Sequence, residues 1–155
     1  MPVRNAPIDF IAYHTDGSIV LLAEAKSRHG TSGTWAAKLR RNILAHGVLP
    51  PAKYFMIATP ERIYGWNQES ASVNEDPPQF VIDGRAALGP YFAKLNQDAA
   101  NIGPEAFELL ILTWLNDISR SSEKRAELDP SLRSLSESGL LSSLQKAEIE
   151  MNAAR

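Results

Sequence analysis

Asp9 and, after fourteen intervening residues, the triplet Glu24-Ala25-Lys26 have the types and spacing for metal-assisted chemistry on a phosphate. Two neighbouring carboxylates offer hard oxygen ligands suited to Mg²⁺ or Mn²⁺. A bound metal acidifies a water and stabilises a pentavalent phosphate, while a lysine beside it orients the nucleophile or offsets developing charge. The triplet is the only Asp/Glu-x-Lys in the chain, and about one is expected by chance in a protein of this size. Its setting therefore decides its meaning.

The setting is a hairpin. Residues 8–14 (IDFIAYH) and 19–26 (IVLLAEAK) read as strands around Thr15-Asp16-Gly17-Ser18, and Asp-Gly between two apolar runs is a strong turn signal. A turn centred there returns the second strand beside the first and makes Asp9 and Glu24 neighbours. Residues two apart on a strand share a face, so Glu24 and Lys26 project together. They stand where a very apolar strand gives way to the Gly/Ser/Thr loop 27–33.

Further elements follow in order. Thr34 is placed to cap a helix over 35–46, with Trp35, Leu39, Ile43 and His46 on one stripe and Gly47 ending it. Residues 53–59 and 63–66 read as strands joined by the turn Thr59–Arg62, and 67–78 as a polar loop. A short helix is expected over 86–95. A strong helix is expected over 104–119, where Phe107, Leu110, Ile111, Trp114, Leu115 and Ile118 recur at helical spacing. Leu132, Leu135, Leu141 and Leu144 predict an amphipathic helix over 131–152, weakened by Gly139. This order indicates a mixed α/β sheet. The division is a core over 1–120 and a helical tail over 121–155, a surface for packing on the domain, for a second copy or for a partner protein.

With 155 residues the chain suits one domain, and 44% apolar and 22% charged residues are ordinary globular values. There is no cysteine, hence no thiolate metal site and no cysteine nucleophile. No apolar run is long enough for a bilayer, and MPVRNAPIDF is no signal peptide, so a cytoplasmic protein is expected. The net charge of −2 is unevenly spread: residues 1–62 carry eight Lys/Arg against four Asp/Glu, residues 63–155 eight against fourteen. Arg28, Lys38, Arg40, Arg41 and Lys53 gather around the first helix, where they form a phosphate-binding face or a solvated one. His14, His29 and His46 lack metal-ligand spacing, and Trp35, Trp66 and Trp114 are expected in the core.

Pro7-Ile8-Asp9, fourteen residues, then Glu24-Ala25-Lys26 resembles the site of the PD-(D/E)xK nuclease superfamily, which includes restriction endonucleases, repair nucleases and small prokaryotic proteins. The resemblance covers residues 6–66 and, more loosely, the remainder. It implies a restriction-endonuclease-like core with a C-terminal helical extension, acting on DNA with Mg²⁺ or Mn²⁺. Asp9, Glu24 and the carbonyl of Ala25 would hold the metal and Lys26 would be catalytic. The family's helix after the signature often brings a polar residue to the site, and Arg40, Arg41 and Asn42 are the candidates. Arg28, Lys38, Arg40, Arg41 and Asn42 are thus assigned to nucleic acid. Family members usually carry a helix and a strand ahead of the Asp, and that helix often adds another acid. Only eight residues precede Asp9 here and none is acidic. The alternative function is a non-catalytic module of the same fold, working through DNA or protein partners.

Overall fold

The computed structural model describes residues 8–46, 48–71, 75–120 and 127–152. Pro7, Gly47 and Ser121 lie outside them.

The expected hairpin forms. The Asp16 carboxylate accepts the Ser18 backbone N–H at 2.9 Å and its hydroxyl at 2.6 Å. Gly17 supplies the positive φ of 88° that closes the turn. β1 (Phe10–Tyr13) and β2 (Ile19–Ala25) then pair antiparallel with Phe10 opposite Ala23. The chain crosses through α1 (Gly33–His46) to β3 (Tyr54–Ala58), which runs parallel to β2 with Glu24 beside Ile57. Thr59 folds the next turn: its hydroxyl donates to the Arg62 carbonyl at 2.8 Å and accepts the Arg62 N–H at 3.0 Å. β4 (Arg62–Asn67) therefore returns antiparallel to β3.

Four features depart from the sequence reading. α1 is capped by Ser32 rather than Thr34, since the Ser32 hydroxyl accepts the Trp35 N–H at 3.2 Å and its carbonyl the Ala36 N–H at 3.0 Å. The innermost stripe of α1 is Ala36, Ala37 and Arg40, with Trp35, Leu39 and Ile43 half-buried beside it and His46 exposed. A short strand missed in the sequence, β5 (Phe80–Asp83), pairs with β4; the Phe80 ring occupies the space that a side chain on Gly65 would need. α2 (Gly84–Lys94) follows it directly, capped by Asp83, and α3 (Pro104–Ile118) matches its helical spacing.

The largest departure is at the C-terminus. No single helix spans 131–152. Pro130–Leu132 is a 3₁₀ turn, α4 covers Arg133–Ser138, Gly139 breaks the helix at φ 85°, α5 covers Leu140–Leu144, and β6 covers Glu148–Met151. The leucines are spaced for a helix, but Glu148-Ile149-Glu150-Met151 alternates with the period of two that a strand uses. β6 pairs antiparallel with β1, which completes a six-stranded mixed sheet in the order β5-β4-β3-β2-β1-β6. Leu132, Leu135, Leu140, Leu141 and Leu144 are all buried in one cluster with α2, α3 and the sheet. Residues 130–151 are thus built into the core, not appended to it.

The sheet divides the interior. One face carries Ile11, Leu22, Phe55, Ile57, Tyr64 and Trp66 against α1; the other carries Phe10, Leu21, Ala23, Met56 and Ile63 against α2, α3, α4 and α5. Trp66 and Trp114 are fully buried and Trp35 is partly so.

Candidate functional site

β2 has an antiparallel neighbour on one side and a parallel neighbour on the other. Its carboxyl end coincides with that of β3, the kind of position where α/β sheets commonly bind ligands. Glu24 and Lys26 stand at that end, on the face that α1 covers. One step beyond the Phe10–Ala23 pair, Asp9 comes beside Glu24, as the hairpin required.

The two carboxylates interlock with the backbone. Asp9 donates its N–H to Glu24 Oε1 at 2.9 Å, and Ala25 donates its N–H to Asp9 Oδ2 at 2.8 Å. Lys26 Nζ lies 3.3 Å from the other Glu24 oxygen, Oε2. Asp9 and Glu24 are 1% and 5% exposed, while the Lys26 side chain is 39% exposed. The acids are therefore held by amides, with the half-exposed ammonium beside them. On the outer side of β1 the Asp9 carbonyl accepts the N–H of Asn152, which follows β6, at 2.7 Å. Two carboxylates beside one ammonium present hard oxygen donors of the kind that suits a divalent cation.

Asp9, Glu24, Ala25 and Lys26 are thus brought together. Of the residues assigned to nucleic acid, Arg40 is buried and the others are exposed. Arg28 is exposed, its guanidinium 5.7 Å from the Trp35 ring centre. Lys38, Arg41 and Asn42 are exposed on the solvent side of α1, and Arg41 faces Glu75 at 3.5 Å. Arg40 corrects the expectation of a surface phosphate contact. It is only 1% exposed, bonded to Gln68 Oε1 through Nε at 3.2 Å and Nη2 at 2.7 Å. Its guanidinium also lies over the rings of Trp66 and Phe55, at 5.3 and 6.0 Å. Gln68 follows directly on β4, four residues past Tyr64, which is level with Glu24, so Arg40 is anchored toward the opposite end of this face from the acids. Burial pulls its pKa below the ordinary value and Asp76 opposes that shift.

The sequence reading missed Glu61, Arg62 and Arg85. Glu61 accepts the Gly30 N–H at 2.8 Å and an Arg85 Nη2 bond at 2.6 Å, with His29 Nδ1 at 3.8 Å. Arg62 Nη1 donates to the Thr31 carbonyl at 3.0 Å. The signal was present only as a charged turn, and its partners come from segments far away in the chain.

Among the described residues no group of three His, Cys, Asp or Glu is close enough to hold a metal ion, and no helix is long and apolar enough to cross a membrane. Comparison of the chain with family models, curated proteins and solved structures finds no match.

Proposed function

We propose that the protein is a metal-dependent nuclease of the restriction-endonuclease-like type, hydrolysing DNA phosphodiesters at the Asp9–Glu24–Lys26 cluster. The observation that carries this reading is the meeting of two buried acids and a half-exposed lysine on one face, at the carboxyl ends of β2 and β3. On this reading, β6 and α3 would take the place of the strand and helix that the resemblance expects ahead of Asp9. β6 lies antiparallel on the outer side of β1, and α3 packs beneath the sheet on the face opposite α1. The core would then be the family's in a permuted chain order.

The donor set fits Mg²⁺ or Mn²⁺. Mg²⁺ is often held by one or two carboxylates, with water and substrate phosphate completing the shell. Asp9 and Glu24 would hold the ion, with the Ala25 carbonyl as the third protein oxygen. When bound, it would supply an acidified water and neutralise charge on the phosphate. The residues' own work is distinct. The amides of Asp9 and Ala25 fix the acids, and Lys26 orients the water or offsets charge growing on the phosphate oxygens. In the balanced step a water O–P bond forms, the ester P–O bond breaks, the water gives up a proton and the leaving oxygen gains one.

A second reading has its own support. The reciprocal amide bonds of Asp9 and Glu24 also make a clasp between β1 and β2, and a non-catalytic module would keep the cluster for that purpose.

Cleavage of linear, circular and single-stranded DNA separates the two. With Mg²⁺ or Mn²⁺ the wild type is expected to cut, EDTA to stop it, and Lys26→Ala to slow it by about 10²- to 10³-fold while remaining folded. Equal inertness of folded wild type and variant would leave only the clasp.

A further inference from the structure

Two strands across from Lys26, the same end of the sheet opens into a cleft of about 690 Å³ lined by Gly30, Thr31, Glu61, Arg62, Asp83 and Arg85. Register fixes its relation to the candidate site. Lys26 is one step beyond the Ala25–Ala58 pair and so stands beside Thr59; Thr59 is bonded across the turn to Arg62, and Arg62 pairs with Asp83. The row Lys26, Thr59, Arg62, Asp83 crosses four strands on the α1 face. At about 4.8 Å per strand, Arg62 lies roughly 10 Å from Lys26.

Both acids of the cleft are engaged by the protein. Glu61 takes the Gly30 amide and Arg85, which ties the loop after β2 to the start of α2. Asp83 accepts the N–H groups of Arg85 and Ala86 at 3.0 and 3.4 Å and caps α2. The guanidinium groups are less committed. Arg62 is exposed and uses Nη1 on the Thr31 carbonyl; Arg85 has a 76% exposed side chain and uses Nη2 on Glu61. A guanidinium has five N–H donors in a planar fork, the geometry that suits phosphate oxygens. Gly84 pins the wall between them, because a Cβ there would come within 2.7 Å of the Glu61 backbone. The arginines are thus mounted on a fixed frame.

We propose that Arg62 and Arg85 hold backbone phosphates of the polynucleotide to one side of the cleaved bond, so that the strand runs from Lys26 along this cleft. The proposal rests on the nuclease reading and adds its substrate path. One charge per 3.4 Å of axis along a single strand makes a 10 Å span about three nucleotides. Contacts of this kind position the substrate without reading its sequence. They also replace the outer side of α1 as the nucleic-acid surface.

The test is fluorescence anisotropy of labelled duplex and single-stranded DNA over a range of salt, with Ca²⁺ as the divalent ion. Arg62→Ala/Arg85→Ala is expected to weaken binding on the order of tenfold and to lower the salt slope by roughly two. Arg85→Ala alone, at a site too exposed to threaten folding, should give a smaller loss in the same direction. Glu61→Gln keeps an acceptor for the Gly30 amide but removes a negative charge, and should tighten binding. Arg133→Ala, exposed on α4, is the control and should change nothing. A folded double variant with wild-type affinity and salt slope would overturn the cleft path alone. A wild-type protein that binds neither DNA would overturn the nuclease reading and this path together.

Discussion

The two ends of the sheet bury charge in different ways. At the carboxyl ends of β2 and β3, Asp9 and Glu24 are held by backbone amides and topped by a half-exposed lysine, beside a turn and loop joined through Glu61. Toward the opposite end, Arg40 is enclosed by Gln68 and two aromatic rings, and the Tyr54 hydroxyl donates to the Ser138 carbonyl at 2.9 Å. Both are buried charges, but only the acids stand beside a half-exposed ion-pair partner, Lys26. Burial of a charge alone therefore does not mark function. What separates the two is the partner each buried charge has: a lysine that reaches solvent for the acids, a glutamine and two aromatic rings for Arg40.

Replacing Arg40 tests this contrast most severely. Arg40→Met fills much of the same volume but removes the bonds to Gln68 and the cation over Trp66 and Phe55, and it leaves Asp76 without the buried charge that faces it. A loss of about 2–3 kcal/mol in urea unfolding is expected. On the nuclease reading proposed above, DNA cleavage per folded molecule should not change. If cleavage collapsed while the variant stayed folded, the two ends would be coupled and the contrast would fail.

Gly139 probes the same closed end at smaller cost. It holds φ 85° between α4 and α5, and a Cβ added there would lie 2.9 Å from the Tyr54 hydroxyl oxygen. Gly139→Ala is expected to cost about 1–2 kcal/mol, from left-handed strain together with displacement of that hydroxyl. Thermal unfolding should show the loss, and metal-dependent activity below the transition should be retained. A neutral result would mean that Tyr54 is not clamped to the α4–α5 corner.

Local rules made much of this legible. Asp16-Gly17 forecast the hairpin, and the hairpin forecast that Asp9 would meet Glu24 with Lys26 on the same face; all three are together. The long-range pairings were not legible. β5 is four residues next to a polar stretch, and it is held by a ring lying over Gly65, a contact that exists only after pairing. The leucines of 132–144 suggested one helix because their spacing carried no information about Gly139 turning left-handed or about β6 finding β1. Arg40 looked like surface because arginine usually is. Its partner Gln68 is twenty-eight residues away, beyond the reach of any local pattern. The candidate site was visible because its residues lie on one hairpin, whereas the cleft beside it draws on three separate segments.

The open end should also be the more weakly fastened, and its fastening should be sensitive to acid. Glu61 has its carboxyl held below the ordinary value of 4.5, first by the Gly30 amide and then by Arg85, with His29 adding a smaller pull. A depressed folded-state pKa means that the ionised form is favoured by folding. The contribution is complete above the unfolded-state value and fades as pH falls through the lower folded-state one. Wild type and Glu61→Gln should therefore differ in the protection of the Gly30 amide near neutrality and converge as pH falls through the lowered folded-state value. Hydrogen exchange at Gly30, read from pH 7 down to pH 3, measures this directly. The effect on global stability should be the smallest of the three, since the groups are solvated and well screened. A difference at Gly30 that persisted unchanged to pH 3 would show that geometry, not the charge on Glu61, holds the loop. The open end would then be as rigidly built as the closed one.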